Sequence, residues 1–426
     1  MSIVGLRRWV MLFAAIGALA GCAAEPYHLM AAPLVYRDER VDLASQIAEQ
    51  RRSTRATVYY ATRRAPVAAG ESGHYGNEAS EDAVRLGVAQ VQLGEPGWTF
   101  DQLVASNRTS SVEHPRFGRV ERIEELGMAG TGEAASEAER EFIARINDHL
   151  AGVRNQEVVL YVHGYRVTFD EVAVMMGSLS FNLGYGATVA FQWPTGTHWW
   201  DYFDCGRAES YVPDIEHLID LLGRTKAEFI NVFAFSCGSP LLAAALARLR
   251  ARYPAEGLMS LAKRYRIGSV VFAASDVDLK TFAREYVPPI MDLARQSIVY
   301  MSRRDAALGF SSLAAGASRI GRPDVADLTR EEIERLAADP RLQGIDVTDV
   351  RGAHEMGGMR GHGYWYSNEW IANDVLLALR YPISPEKRCL VQVAPGKRMW
   401  KMPDDYPDCL VRGFLKANPQ LQRQPQ

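Results

Sequence analysis

The sequence has little net charge and no long apolar run beyond its N-terminus, and both absences exclude classes of protein. Its 48 Lys and Arg residues against 51 Asp and Glu residues give a formal charge of -3 over 426 residues. No basic field is therefore available to hold a phosphate backbone, so we expect no nucleic-acid partner. After residue 21 no segment is long and apolar enough to cross a bilayer as a helix.

The residue patterns typical of metal sites are also missing. The five cysteines form no CxxC pair, and the nine histidines form no HExxH motif. No carboxylate cluster has the spacing of a metal-binding loop. We therefore expect neither a metal nor another cofactor.

The N-terminus has the pattern of an export signal. Two arginines precede an apolar run over residues 9–20, and small residues then lead into Cys22. The run is shorter than the ~20 residues of a membrane-spanning helix, so we expect residues 1–21 to be removed. The end of this segment resembles a bacterial lipobox, which implies lipidation of Cys22 and, with Ala23 after it, an outer-membrane lipoprotein facing the periplasm. The alternative is an ordinary signal peptide that happens to precede a cysteine.

From residue 157 onward, short β-branched runs alternate with helical stretches. This alternation predicts an α/β fold with a mostly parallel central sheet and helices on both faces. The predicted strands of this part are residues 158–163, 188–193, 229–235, 267–274, 297–302 and 345–350. The predicted helices are residues 170–183, 240–252, 276–286, 329–338 and 369–380. Two earlier strands are expected at residues 56–60 and 84–93, and a loop with weak helix at 94–137.

The most informative motif is a strand, a tight turn and a helix around Ser236. The apolar strand 229–235 leads into Ser236-Cys237-Gly238, and an alanine-rich helix follows. A turn of this kind needs small residues two positions before and after the serine, and it lifts the hydroxyl above the sheet edge. Ala234 stands where a glycine is usual in such a nucleophile elbow. Ser236 is therefore predicted to be a nucleophile, and the alternative is that it only caps the helix.

An earlier strand ends in His163-Gly164-Tyr165. At this place α/β-hydrolases supply a backbone N–H to the oxyanion that forms during acyl transfer. The predicted oxyanion donors are the backbone N–H groups of Tyr165 and Cys237. His163 lies inside the turn, so we expect it to order the loop rather than to act as a base.

A nucleophilic serine needs a histidine base, and only His354 and His362 follow Ser236 in the chain. His362 lies in a glycine-flanked loop directly before the last predicted helix and is the preferred base. His354 is the fallback.

The base in turn needs a carboxylate that follows the serine and precedes the histidine. Asp305, after the strand 297–302, is the preferred acid. Asp276 and Asp278 follow the preceding strand, at the same edge of the sheet, and geometry alone does not exclude them. The neighbours Arg303 and Arg304 favour an ionised Asp305, unless they only form surface ion pairs.

Together these motifs resemble those of the bacterial esterase/lipase-like α/β-hydrolases called "domain of unknown function 900". The resemblance covers about residues 55–380. Its motifs are residues 57–64, 163–165, 191–194, 234–238, 274–278, 300–308 and 361–364. Where relatives carry His-Ser-Met-Gly, this chain has Phe235-Ser236-Cys237-Gly238. The resemblance implies a serine hydrolase fold and leaves the substrate open.

A cluster of aromatic residues follows the strand 188–193. Trp199, Trp200 and Tyr202 are candidates to line a substrate pocket or form a lid, although packing beneath a long loop is the alternative.

Four cysteines remain after Cys22. Cys389 and Cys409 lie in a loop-rich extension of a chain expected to be exported, so we predict that they form a disulfide. Cys205 and Cys237 are expected to stay free.

The sequence thus predicts a signal peptide (1–21), a lipidated N-terminus and tether (22–54), an α/β-hydrolase domain (55–380) and a C-terminal extension (381–426). The predicted function is that of an envelope-anchored serine hydrolase that cleaves an ester-containing small molecule or lipid through an acyl-enzyme on Ser236. The alternative is a catalytically inactive hydrolase-like lipoprotein that binds a lipid or envelope partner. The ordered Ser, Asp and His set favours the enzyme, because a binding module has no reason to keep it.

Overall fold

A computed structural model describes residues 26–68, 73–80, 83–109, 114–130, 135–196, 205, 208–354, 361–381, 383–394 and 398–423. The strands among these residues are β1 (Tyr27–His28), β2 (Arg55–Thr62), β3 (Arg64–Pro66), β4 (Tyr75–Ala79), β5 (Arg85–Leu93), β6 (Phe117–Met128), β7 (Glu157–Val162), β8 (Ala187–Gln192), β9 (Phe229–Phe235), β10 (Ile267–Ala273), β11 (Ala294–Met301), β12 (Leu342–Asp346), β13 (Val391–Gln392) and β14 (Met399–Lys401).

The α-helices of the same residues are α1 (Leu34–Arg37), α2 (Phe100–Ser106), α3 (Glu137–Ala151), α4 (Phe169–Asn182), α5 (Val212–Gly223), α6 (Gly238–Ala251), α7 (Leu258–Tyr265), α8 (Leu279–Thr281), α9 (Val287–Leu293), α10 (Ala306–Ala315), α11 (Arg330–Ala338), α12 (Tyr364–Ser367), α13 (Glu369–Arg380) and α14 (Tyr406–Ala417). A π-helical turn, Phe282–Tyr286, joins α8 to α9. Among these described helices, none is long and apolar enough to span a membrane.

The central sheet has 12 strands in the order β1-β6-β5-β2-β8-β7-β9-β10-β11-β12-β14-β13. In that order, the pairs from β2 through β14 are parallel, and the pairs at the two ends of the sheet are antiparallel. Strands β3 and β4 form a separate hairpin. The predicted α/β fold with a mostly parallel sheet is thereby confirmed.

The central strands are mostly apolar because helices cover both faces of the sheet. In β9 the side chains of Phe233 and Phe235 belong to the core on one face. Those of Val232 and Ala234 belong to the core on the other face. This double burial explains why a continuous apolar run, rather than an alternating one, marks the strand.

Residues 94–137, expected to be a loop with weak helix, contain α2 and the long strand β6. The expectation of weak helix agrees with α2, but the expectation missed the strand for a physical reason. Strand β6 lies near the edge of the sheet, and only Gly118 and Val120 of its residues are buried. With Glu121 and Arg122 exposed at its centre, it lacks the apolar alternation that identifies a strand in a sequence.

Two predicted elements are displaced along the chain. The helix expected at 276–286 begins only at Leu279, because Asp278 is its N-cap and accepts a hydrogen bond from the N–H of Thr281 at 2.8 Å. The strand expected at 345–350 is β12, three residues earlier, and residues 348–350 belong to the turn after it.

The described residues of the predicted tether and of the C-terminal extension both pack on the sheet and its helices. In the described part of the predicted tether, Met30 and Leu34 are buried, and the N–H of Ala31 donates to the carbonyl oxygen of Tyr366 at 2.6 Å. The C-terminal extension adds β13 and β14 to the central sheet. Its Arg388 forms a fully buried ion pair with Asp374 of α13 at 2.8 Å. These contacts make both segments part of one folded body with the sheet.

Candidate active site

The nucleophile candidate occupies a sharp turn between β9 and α6. Ser236 has φ 50°, in the left-handed region that a residue with a Cβ enters only at a cost of about 1–3 kcal/mol. Two glycines allow the turn to form. A Cβ on Gly238 would lie 2.5 Å from the carbonyl oxygen of Val162, and a Cβ on Gly164 would lie 2.9 Å from the Cβ of Ser236. The turn therefore has the geometry that the sequence predicts for a nucleophile elbow.

Ser236, His362 and Asp305 form one hydrogen-bonded chain. The Nε2 atom of His362 lies 2.8 Å from Ser236 Oγ, and its Nδ1 atom lies 2.8 Å from Asp305 Oδ2. Asp305 is fully buried and His362 is 8% exposed. In this arrangement the serine hydroxyl donates to Nε2 and the Nδ1–H donates to the carboxylate, which is the tautomer that a general base requires.

The fold explains why residues 126 positions apart meet. Ser236 directly follows β9, and Asp305 lies four residues after the end of β11. Because the parallel strands end at one edge of the sheet, both residues lie at that edge, separated by the end of β10. His362 follows Gly361, whose φ of 86° lets the chain turn toward that edge immediately before α12.

The carboxylate of Asp305 has a second partner. Its Oδ1 atom accepts the backbone N–H of Leu308 at 3.0 Å and thereby caps α10. The positive end of the helix dipole stabilises the negative charge on this buried group. Arg303 and Arg304 point elsewhere, and their nearest carboxylates are those of Asp346 and Asp349, at 3.9 and 3.3 Å.

The alternative acids and the fallback base from the sequence analysis take no part in this chain of hydrogen bonds. Asp278 caps α8. Asp276 pairs with Arg319 at 3.2 Å and accepts a hydrogen bond from the hydroxyl of Ser311. The Nε2 atom of His354, the fallback base, lies 2.8 Å from the carbonyl oxygen of Thr348.

The predicted oxyanion donors lie on the two turns beside Ser236. Cys237 is the N-cap of α6, and N–H groups at the start of a helix lack acceptors within it. Tyr165 follows Gly164, which lies against Ser236. His163 holds this turn, because its Nδ1 lies 2.6 Å from the carbonyl oxygen of Gly164.

His163 is itself held in place by its surroundings. Its ring is stacked on Trp193 at 5.5 Å, and the indole N–H of Trp193 donates to the His163 carbonyl oxygen at 2.9 Å. Burial, together with the positive charge of Arg64, holds the pKa of His163 well below its usual range. A histidine that stays neutral in this way suits a loop-ordering role.

Arg64 is a residue near the site that the sequence analysis did not single out. Its guanidinium is fully buried, and it donates to the carbonyl oxygen of Val167 at 2.8 Å and to Asn77 Oδ1 at 2.6 Å. Burial lowers the pKa of Arg64 to about 9. The sequence did contain a signal for this role, because Arg64 comes shortly after the apolar strand β2. If such a strand is central, a cation at its end is buried and must donate to acceptors inside the protein.

The four described cysteines form two disulfides, of which the sequence analysis predicted one. Cys205 and Cys237, expected to be free, form a disulfide with a Cα–Cα distance of 5.8 Å, so that prediction was wrong. The bond ties the connection between β8 and α5 to the residue that follows the candidate nucleophile. The disulfide predicted between Cys389 and Cys409 is confirmed.

Four predicted site residues, Cys22, Trp199, Trp200 and Tyr202, lie outside the described residues. Of the described aromatic side chains, Phe235 packs on His362 with ring centroids 5.0 Å apart. Within the described part of the chain, no group of three or more His, Cys, Asp or Glu side chains has the geometry of a metal site.

An apolar cavity of about 320 Å³ lies between α11 and the sheet, away from the candidate triad. Its floor consists of side chains from β11 and β12, and Arg303, Val325 and Val393 are among the residues at its walls. Ser236, Asp305 and His362 do not line it.

Comparison with protein families gives one match. The family described as "alpha/beta hydrolase of unknown function (DUF900)" matches residues 138–380, which is more than half of the chain. The matched region includes Ser236, Asp305 and His362. A comparison with curated proteins finds no match.

Proposed function

This chain belongs to that family of α/β-hydrolases, and we propose that it is a serine hydrolase of the esterase or lipase type. The observation that carries the proposal is the continuous chain of hydrogen bonds from Ser236 through His362 to Asp305. A nucleophile, a base and an orienting acid at hydrogen-bond distance are the parts that acyl transfer needs.

The reaction follows from these positions. Ser236 Oγ attacks the carbonyl carbon of the ester while its proton passes to His362 Nε2. The backbone N–H groups of Tyr165 and Cys237 stabilise the oxyanion of the tetrahedral intermediate. When the intermediate collapses, the leaving alcohol takes the proton from His362 and an acyl-enzyme remains. Water then attacks the acyl carbon by the same route and regenerates the serine.

Asp305 orients and stabilises His362 throughout the catalytic cycle. It keeps the proton of the imidazole on Nδ1 before the reaction and stabilises the imidazolium that forms during it. Its burial and its bond to the N–H of Leu308 fix the carboxylate, which orients the His362 ring toward Ser236 through the bond to Nδ1.

The strained turn argues against a hydrolase-like protein that only binds its partner. A binding module has no need of a serine held at φ 50°, since the same helix could be capped by a serine in a relaxed conformation. The proposed substrate is an ester-containing small molecule or lipid.

We also propose that the protein works in the cell envelope, anchored to the outer membrane through a lipid on Cys22 and facing the periplasm. Two disulfides among the described residues support an oxidising compartment, because such bonds are rare in the cytosol. Replacement of Cys22 by Ser is expected to abolish incorporation of labelled fatty acid and to release the protein from membranes. Unchanged labelling would reject the anchor.

The activity is tested by labelling with a fluorophosphonate probe, which reacts with activated serines. We expect the native protein to be labelled and Ser236→Ala to be unlabelled. Ser260→Ala, on the exposed surface of α7, is the matched control and should be labelled like the native protein. Equal labelling of the native protein and Ser236→Ala would reject Ser236 as the reactive serine. No labelling of either protein, together with no turnover of p-nitrophenyl esters, would favour the binding module instead.

A further inference from the structure

A cavity of about 410 Å³ lies at the edge of the sheet opposite the candidate triad. Its lining includes Arg154 and Asn155, shortly before β7, and Gly184, shortly before β8. Ser236 and Asp305 follow the other ends of parallel strands. Strand β7 has 6 residues, so the two edges of the sheet are about 20 Å apart. The cavity is therefore a separate site, and its volume is within the range of small-molecule pockets.

The walls of this cavity come from the described tether, the C-terminal extension and two helix ends. The tether supplies Leu43 and Ile47, and the extension supplies Phe414 of α14. Leu183 follows the end of α4, and Leu376 belongs to α13. These five side chains are apolar, so an apolar group of a ligand gains free energy by burial against them.

Three arginines, Arg51, Arg154 and Arg380, line the same cavity. Among the described residues, none of the three forms an ion pair. Arg51 donates to the carbonyl oxygen of His149 at 3.4 Å, and Arg154 donates to the side-chain oxygen of Gln46. No described group accepts a hydrogen bond from Arg380. Because a guanidinium has five N–H donors, most of the donors on these arginines are available to a ligand.

No acidic residue is among the described residues that line the cavity. Three acidic residues, Asp42, Glu49 and Glu157, lie near the lining along the chain. Asp42 accepts the backbone N–H of Ser45 at 3.2 Å, Glu157 accepts a hydrogen bond from the side chain of Asn231 at 2.9 Å, and Glu49 is exposed. Since no carboxylate in the lining competes for the guanidinium groups, an anionic group of a ligand can pair with them.

A buried polar atom in the lining also lacks a partner. Asn182, the last residue of α4, is 5% exposed, and no described group donates a hydrogen bond to its Oδ1 atom. A buried acceptor destabilises the protein unless a donor reaches it. The hydroxyl of a singly protonated phosphate is such a donor.

We propose that this cavity binds a phosphate ester that carries an apolar chain. The phosphate oxygens accept hydrogen bonds from the three arginines, and the chain lies against the apolar walls. Phosphate matches this set better than a carboxylate does, because one bidentate arginine is enough for a carboxylate. The inference goes beyond the proposed function and does not depend on it, since Ser236, Asp305 and His362 do not line the cavity.

The test is isothermal titration calorimetry of the full-length protein with octyl phosphate, which contains no carboxylic ester that a serine esterase could cleave. We expect binding of one molecule per chain, and at least about tenfold weaker binding of inorganic phosphate and of neutral octyl glucoside. Arg380→Gln should weaken the binding of octyl phosphate at least about tenfold, because a charge-assisted pair is lost. Leu377→Asp, which places a negative charge on the apolar wall, should weaken it at least as much.

Arg224→Gln is the matched control. Arg224 is the C-cap of α5, so it is also an exposed arginine at a helix end, but it does not line the cavity. Its replacement should leave the affinity for octyl phosphate unchanged. The control thereby separates a binding site from arginines that only complement the negative end of a helix dipole. Thermal melting without ligand checks that all variants are folded.

Four results would overturn the site. The first is no binding of octyl phosphate, and the second is equal weakening by Arg380→Gln and Arg224→Gln, which would reduce the effect to overall charge. The third is unchanged binding to both Arg380→Gln and Leu377→Asp, which would place the ligand elsewhere on the protein. The fourth is equal affinity for octyl phosphate and inorganic phosphate, which would reject the apolar chain and leave a site for free phosphate.

These outcomes are distinct from failure of the proposed function. If octyl phosphate binds as expected and no ester is hydrolysed, the phosphate site stands and the hydrolase does not. If esters are hydrolysed and octyl phosphate does not bind, the hydrolase stands and the phosphate site does not.

Discussion

Replacement of Asp305 by Asn tests the assignment of the acid with little change in shape. The carboxylate has two partners, the Leu308 N–H at 3.0 Å and His362 Nδ1 at 2.8 Å. An asparagine keeps the first partner, because its side-chain oxygen is an equally good N-cap. Because the cap is kept, we expect the free energy of unfolding to change by no more than about 1 kcal/mol.

The substitution should lower activity through the second partner, His362 Nδ1. If the asparagine oxygen caps α10, its NH2 group faces His362 Nδ1 and donates to it. The imidazole proton must then lie on Nε2, which points at Ser236 Oγ. In that tautomer His362 cannot accept the serine proton. By the effect of the same change in other triads, kcat should fall about 10⁴-fold, or ~5.5 kcal/mol of transition-state stabilisation.

The assay is hydrolysis of an activated ester such as p-nitrophenyl butyrate, with kcat and KM measured separately. Asp278→Asn is the matched control, because Asp278 also caps a helix but does not contact His362. Its kcat should stay close to the wild-type value. If Asp278→Asn lowered kcat far more than Asp305→Asn, the role would pass to Asp278 and our assignment of the triad would be refuted.

Three further predictions rest on the described contacts. Cys205→Ser should lower kcat more than it raises KM in ester assays, because it frees Cys237 beside the candidate nucleophile; an unchanged kcat would contradict this. Arg388→Leu should lower the free energy of unfolding in urea by about 3–5 kcal/mol, since the Asp374 carboxylate loses its cation while buried and keeps the hydrogen bond from the Tyr300 hydroxyl; a change below about 1 kcal/mol would argue against the pair. Burial holds the pKa of His163 well below its usual range, so the unfolded chain takes up a proton that folded His163 rejects, and stability should fall as pH drops through about 6.5. Thermal melting at a series of pH values should show a shallower fall for His163→Gln, and an unchanged slope would contradict the assignment.

The sequence predicts the central sheet well because its strands are buried on both faces. Strand β9 is predicted at the residues where it is found, and α13 is predicted with its observed bounds. Both have strong patterns, a continuous apolar run in the first and an amphipathic period in the second. Strand β6 has neither pattern, since it pairs with its neighbours through the backbone while only two of its twelve residues are buried.

The candidate triad could be found from the sequence because its members obey a rule of order. Only two histidines follow Ser236, and Asp305 follows one of the strands that lie between Ser236 and those histidines. The strand, tight turn and helix around Ser236 can be recognised within a dozen residues of sequence. The parallel sheet then brings Asp305 and His362 to the same edge as Ser236. The order rule leaves Asp276, Asp278 and His354 as alternatives, and the distances in the structure single out Asp305 and His362.

The disulfide between Cys205 and Cys237 could not be found in that way. Its partners are 32 residues apart, and no order or spacing in the sequence relates the connection after β8 to the turn after β9. The pairing depends on the order in which the chain crosses the sheet, where a single strand, β7, lies between β8 and β9. Arg64 was missed for the same reason, since its acceptors on Val167 and Asn77 come from separate segments. Residues whose role depends on such crossings need the three-dimensional structure, whereas residues that follow the strands in order do not.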